Sequence, residues 1–384
     1  VRILHVPHAY AGAGNTLLNV ISELSACHAR TGGESAVVLS DQRDAKVSTA
    51  ENLLVDYSRY CPRQWFTRSE LLADAAIGMV GGTRPYMGRV YRPAVEAAVE
   101  WRPDLILLYE GHAMASVASW RRALPAPVEL WLYVHNAVSR SFRRREFGRL
   151  AGDLDGIVCC SDYMRGTVLP LLPDGAKPIR TVTNGVDLER FSPVDPPAKP
   201  TDALEVVFAG QVRPHKGPHL LLGAAGRARE LTDRPLRFRV VGSADYDPAM
   251  PLTDYELSLR RLADDLHLDV DFVPFVDRTT LRDYYRRASV VCVPTTSPEP
   301  FGLVVLEAMA CGTAVVASRV GGLPEAGGDA AVYVDVNDQE SFARELVALA
   351  ESPERVEHYA AAGRARALTR SWQSTYDGLL AGVA

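Results

Sequence analysis

Short apolar runs recur along the whole chain, and between them lie longer stretches whose apolar positions return every three or four residues. In the first half the runs are RILHV (2–6), SAVVLS (35–40), DLILLY (104–109), ELWLYV (129–134) and GIVCCS (156–161). In the second half they are EVVFAG (205–210), RFRVVG (237–242), VDFVPF (270–275), SVVCVP (289–294) and TAVVAS (313–318). Runs this apolar suit strands buried on both faces, and intervening segments such as Leu17 to His28, Arg92 to Trp101 and Thr279 to Ala288 carry helical spacing. Alternation of this kind predicts parallel sheets covered by helices, an α/β doubly wound architecture. The pattern plays twice. Its two halves meet at the proline-rich stretch SPVDPPAKPTD (192–202), which is too rigid and polar for the interior of an element.

Two Rossmann-like domains follow from this reading: residues 1–185, and residues 186–369 after the join. Ligands of open α/β sheets bind beyond the carboxyl ends of the strands, so a two-domain chain is expected to hold its ligands at a central cleft. A length of 384 residues agrees with two domains of ordinary size. With 47% hydrophobic and 23% charged residues, the composition is that of a globular protein. The net charge of −5 gives no drive toward nucleic acid. No apolar run approaches the ~20 residues of a membrane-spanning helix. The start, VRILHVPH, does not read as an export signal, and the scattered cysteines have no metal-ligand spacing; the cytoplasm is the expected compartment.

The chemistry concentrates in SPEPFGLVVLEAMACG (297–312). A strand leads into a proline-rich loop, and a helix is predicted to begin near Phe301 or Gly302. There the unpaired backbone N–H groups and the positive end of the helix dipole can receive a diphosphate. Glu299 stands in the loop and Glu307 inside the helix. Carboxylates accept and do not donate, so such a pair suits the hydroxyls of a sugar and a ribose. On spacing alone a capped surface helix with two unrelated glutamates is the better reading; PFG, AMACGTAVVAS and GGLPE (321–325) following in order make the difference.

With these segments the chain resembles the retaining glycosyltransferases of family 4, whose hallmark E-x7-E motif reads here EPFGLVVLEAMACGTAVVAS followed by GGLPE. TNGVDLERFSP (183–193), FAGQVRPHKG (208–217) and SWQSTYDGLL (371–380) extend the resemblance. It implies the GT-B fold, with an acceptor-side first domain and a second domain that binds the nucleotide sugar. A C-terminal helix over 370–384 would pack back onto the first domain. Lys216 matches the family's phosphate-loop lysine. The usual arginine position holds Gln211, and the nearest arginine is Arg213; on their own, both cations also fit a solvated basic loop. Phe301, Gly302 and Leu303 complete the implied donor site.

His135, in LWLYVHNAV, resembles the family's donor-contacting histidine, with Asn136 where an aspartate is usual; a strand-end histidine satisfied by backbone is the alternative. Gly14, in AYAGAGNT (9–16), resembles the family's glycine loop under the diphosphate, and the incomplete GxGxxG there argues against NAD. Arg140, Arg143, Arg144, Arg145 and Arg149 read first as a solvated helix face, with an anionic acceptor or a membrane surface as alternatives. The first helix lacks the basic polar face of an interfacial anchor, which argues against membrane association and for a small soluble acceptor. The expected activity is therefore metal-independent, retaining transfer of a sugar from a UDP- or GDP-sugar, with no cofactor besides that substrate. A sugar-nucleotide epimerase or a phosphorylase on the same fold is the alternative, and a non-catalytic solute-binding protein a weaker one.

Overall fold

The structure, a computed structural model, describes the chain apart from residues 10, 12–15, 42–44, 62–65, 81, 83, 110, 126, 139–140, 176, 195–201 and 383–384. It divides into two compact units. One comprises Val1–Asn184 together with Trp372–Ala384, the other Gly185–Ser371. No helix among the described residues is long and apolar enough to cross a membrane, and all six cysteines are buried.

The first unit is built on a seven-stranded sheet: β1 (Arg2–Val6), β2 (Glu34–Ser40), β3 (Glu51–Val55), β4 (Leu105–Leu108), β5 (Glu129–Val134), β6 (Gly156–Cys159) and β7 (Ile179–Thr181). The order across the sheet is β3-β2-β1-β4-β5-β6-β7 and every pairing is parallel. The second unit holds six strands: β8 (Leu204–Ala209), β9 (Leu236–Val241), β10 (Val270–Val273), β11 (Val290–Val293), β12 (Ala314–Ser318) and β13 (Val332–Val334). They run β10-β9-β8-β11-β12-β13, again all parallel. The apolar runs identify ten of these strands. The three they miss lie at sheet edges: β3 is half-exposed, and β7 and β13 have three residues each, too short to make a run. In each sheet the winding reverses once, between β1 and β4 and between β8 and β11, and such reversals open a crevice beyond the strand ends.

The last helix, Trp372–Leu380, completes the first unit. It buries Trp372, Tyr376 and Leu379, sets the Tyr376 hydroxyl 2.7 Å from His28 Nδ1, and sends the Thr375 hydroxyl to the Thr183 carbonyl at 2.9 Å. Within the second unit the two ends of the chain run side by side, joined by a parallel bridge between Val186 and Ser371 and by a bond from the Val186 N–H to the Arg370 carbonyl at 2.8 Å.

One buried group links the first sheet to pH. His5 on β1 is 1% exposed, with Nδ1 2.8 Å from the Tyr109 hydroxyl and Nε2 3.4 Å from Ser25 Oγ. Burial, and secondarily the nearby His28, lower its pKa from 6.5 to about 3. The unfolded chain therefore takes up a proton below 6.5 that the folded chain refuses. Stability is present above 6.5 and falls as pH drops toward 3, by about 1.4 kcal/mol per pH unit for this group. His5→Phe is expected to flatten the pH dependence of the urea-unfolding free energy by about that slope. An unchanged slope would show that His5 titrates normally.

Candidate functional site

The second unit's reversal point brings together two loops far apart in sequence. β8 ends at Ala209, and the chain passes through a single helical turn, Pro214–Lys216, before the helix Pro218–Leu231. β11, the neighbouring strand, runs into Pro294–Gly302 and the helix Leu303–Ala310. The His215 carbonyl accepts from the Thr296 N–H at 2.9 Å and from the Thr295 hydroxyl at 2.8 Å, which staples the two loops. Gly217 permits this closeness: its φ is +75°, and a Cβ there would lie 2.0 Å from the Pro294 carbonyl oxygen.

The staple sets Lys216 Nζ 2.5 Å from Glu299 Oε1. The Thr295 hydroxyl lies 3.4 Å from the same carboxylate oxygen. GGLPE closes over the loop from the other side, where Gly321, at φ +60°, has the Glu299 backbone so near that a Cβ would come within 2.4 Å of its oxygen. The Gly322 N–H then donates to that oxygen at 2.8 Å. Among the described residues no side chain caps the helix Leu303–Ala310, whose N-cap is Gly302. The Val305 N–H turns back to the Gly302 carbonyl at 3.1 Å, and the N–H groups of Leu303 and Val304 before it have no intrahelical acceptor, the condition for an anion site at this helix start, which follows Glu299 closely in sequence. Phe301 is buried beneath this turn, and Leu303 is half-buried on it. The helix begins one or two residues later than the sequence suggests, because Gly302 stands outside it in the left-handed region.

Glu307 lies deeper. It is buried and held by Arg278, with Nη2 2.8 Å from Oε1, and the Tyr285 hydroxyl donates to Oε2 at 3.4 Å. Burial pushes its carboxyl pKa up, opposed by the Arg278 charge. Sequence reasoning missed Arg278. Its signal was Asp277, whose carboxylate accepts from the Thr279 and Thr280 N–H groups and so starts the helix Arg278–Arg287 directly beyond β10. Thr295 was missed as well, because nothing in TTSPEP marks one hydroxyl above its neighbours.

Arg213 is exposed, and its Nη2 donates to the Ala244 carbonyl at 2.9 Å, in the loop after β9. It is thus on the same loop as Lys216 but bonded away from Glu299. In the first unit His135 follows β5 and packs on Tyr133 and Tyr109, at ring separations of 4.3 Å and 5.7 Å. Its Nε2 has no hydrogen-bond partner among the described residues, and burial lowers its pKa to about 3, so the ring is neutral. The loops after β1 and β4 add His8 and His112, with ring centroids 6.1 Å apart, which the sequence did not single out. Gly14 and Arg140 lie outside the described residues. Arg143, Arg144, Arg145 and Arg149 are exposed on and beside the helix Arg144–Ala151. Glu146 within that run turns inward to Arg84. No group of three or more His, Cys, Asp or Glu side chains suited to a metal ion is gathered among the described residues.

Comparison with known proteins covers nearly the whole chain. The family model described as Glycosyltransferase Family 4 matches residues 19–190, and the model described as Glycosyl transferases group 1 matches residues 194–366. A D-inositol 3-phosphate glycosyltransferase of Saccharomonospora viridis is 37% identical over 242 residues, covering 60% of this chain and 56% of the relative. One from Thermobifida fusca is 40% identical over 224 residues, covering 54% and 50%. The chain thus spans about half the length of the curated relatives it matches. Among solved structures, sucrose-phosphate synthase from Thermosynechococcus elongatus superposes with a TM-score of 0.77 at 19% identity, covering 99% of this chain and 97% of that one. Anabaena HepE in complex with UDP and glucose gives 0.72 at 18% identity, covering 99% and 98%. At these identities the likeness shows the fold, two parallel-sheet Rossmann-like domains of the GT-B type.

Proposed function

The chain belongs to the family-4 glycosyltransferases, and on that premise we propose that it transfers a sugar, with retention of configuration, from a nucleotide sugar to a small soluble acceptor. One observation carries the reading: Lys216 is paired with Glu299 on the loop that leads within three residues to the uncapped helix start at Gly302. An ammonium and converging backbone N–H groups stabilise the charge that grows on a departing diphosphate. The carboxylate of Glu299 accepts from hydroxyls of the sugar. Glu307, kept in place by Arg278, accepts from ribose hydroxyls. Arg213 adds positive charge to the same loop in place of the arginine that Gln211 replaces.

In this proposal the donor belongs to the second unit and the acceptor to the first. His135 is the first unit's candidate catalytic residue, a neutral imidazole whose buried Nε2 has no hydrogen-bond partner among the described residues. UDP is favoured over GDP because HepE, a neighbour in fold, binds UDP. A polyol or its phosphate is favoured as acceptor because the curated relatives are named for D-inositol 3-phosphate. No metal and no further cofactor is assigned to the reaction.

The test is an incubation of the purified chain with UDP-glucose or a GDP-sugar, with and without D-inositol 3-phosphate or a panel of polyols. Nucleoside diphosphate release that depends on the acceptor, with the anomeric configuration kept by NMR, is the expected result. Isomerised sugar without acceptor would instead identify an epimerase, and release that needs inorganic phosphate a phosphorylase. Binding without turnover of any donor would leave a non-catalytic protein.

A further inference from the structure

We propose that Glu299 makes the donor site selective for a nucleoside diphosphate that still carries its sugar, by holding Lys216 in an ion pair that only sugar hydroxyls can replace. The inference rests on the donor reading above and concerns how the same site tells donor from spent nucleotide. Lys216 Nζ lies 2.5 Å from Glu299 Oε1. A diphosphate that recruits the ammonium therefore competes with the carboxylate for it.

Glu299 has little to replace it. Its side chain is 16% exposed against 29% for Lys216, so water reaches the carboxylate less than the ammonium. The Thr295 hydroxyl, 1% exposed, is 3.4 Å away, but its single hydrogen also has the His215 carbonyl at 2.8 Å and the Ser297 carbonyl at 3.2 Å. The Gly322 N–H serves the backbone oxygen of Glu299 and leaves the carboxylate unaided. A largely buried carboxylate stripped of its cation carries a desolvation cost that new donors must offset. The hydroxyls of an attached sugar are such donors, and a bare nucleoside diphosphate brings none at that position. After transfer Glu299 would retake Lys216 and loosen the spent nucleotide.

Calorimetric titration of UDP and of UDP-glucose into wild type, Glu299→Gln and Lys216→Met separates this from simpler accounts. Glutamine keeps the shape and removes the charge. The expected result is that Glu299→Gln binds UDP about fivefold tighter and UDP-glucose about tenfold weaker than wild type, opposite signs for the two ligands. In the Lys216→Met background, Glu299→Gln should no longer tighten UDP. Tightening of both ligands would reduce Glu299 to a nearby negative charge and overturn the proposal. Unchanged UDP affinity would overturn it too, showing that the nucleotide does not compete for Lys216. A wild-type chain that binds neither UDP, GDP nor their sugars would fail at the earlier step, overturning the donor reading itself.

Discussion

Lys216→Ala is expected to lower the rate of sugar transfer by two to three orders of magnitude, about 3–4 kcal/mol of transition-state stabilisation. The ammonium is paired with Glu299 on the loop that leads into the helix Leu303–Ala310, and in the proposed reaction it meets the charge that grows on the leaving diphosphate as the bond to the sugar breaks. Part of the loss should appear in donor affinity, but most of it in kcat, because the interaction strengthens as charge develops. Lys216 is partly exposed on a loop turn, so the variant should fold normally; unfolding curves that overlay wild type provide the control. Saturating donor and acceptor and single-turnover rates make the measurement. A folded Lys216→Ala protein that turns over within fivefold of wild type would remove Lys216 from the reaction.

Glu146→Ala is expected to be the most damaging substitution for the stability of the first unit, at about 3–5 kcal/mol. Arg84 and Glu146 are 7% and 2% exposed, and the pair is bidentate: Nε to Oε1 and Nη2 to Oε2, each at 2.7 Å. Arg84 also donates to the Ser141 carbonyl at 2.6 Å and lies 4.4 Å above the Phe142 ring. Gly78 packs so tightly on this carboxylate that a Cβ would lie 2.1 Å from Oε1. Removing Glu146 therefore leaves a guanidinium with no counter-charge in a space water cannot readily fill. Replacing both partners together, Arg84→Met with Glu146→Leu, should cost much less, since no charge is then stranded. Urea denaturation followed by circular dichroism measures both. A loss under about 1 kcal/mol for the single variant would mean that the site is wetter than its burial indicates.

The double winding of the sheets is legible in the sequence because parallel strands covered on both faces must be apolar at nearly every position. β4, with all four residues buried, is the clear case. β3 is not legible, since an edge strand with one half-exposed face needs no such run. The candidate site divides in the same way. Glu299 and Lys216 are readable one at a time, each in a motif with a local reason for its shape. Their pairing across 83 residues is not. It exists because β8 and β11 are neighbours at the reversal point and because a threonine hydroxyl and an N–H happen to meet one carbonyl. Arg84 and Glu146 show the opposite failure. RRREFGRL reads as a solvated basic face, nothing in the sequence singles out Arg84, and only the fold turns the one glutamate inward among exposed arginines.

The bridge from Val186 to Ser371 also bears on the order in which the chain can mature during synthesis. Gly185–Ser371 is interrupted nowhere and has all of its own residues as soon as Ser371 has been made. The first unit begins earlier and ends later: His28 meets Tyr376 at a sequence separation of 348. A nascent chain must therefore carry an unfinished first unit, its seven strands already made but the seat of the last helix open, through the whole translation of its neighbour. The half that starts first is the half that closes last, and a chain cut short before Trp372 leaves apolar surface around His28 for chaperones or proteases to find.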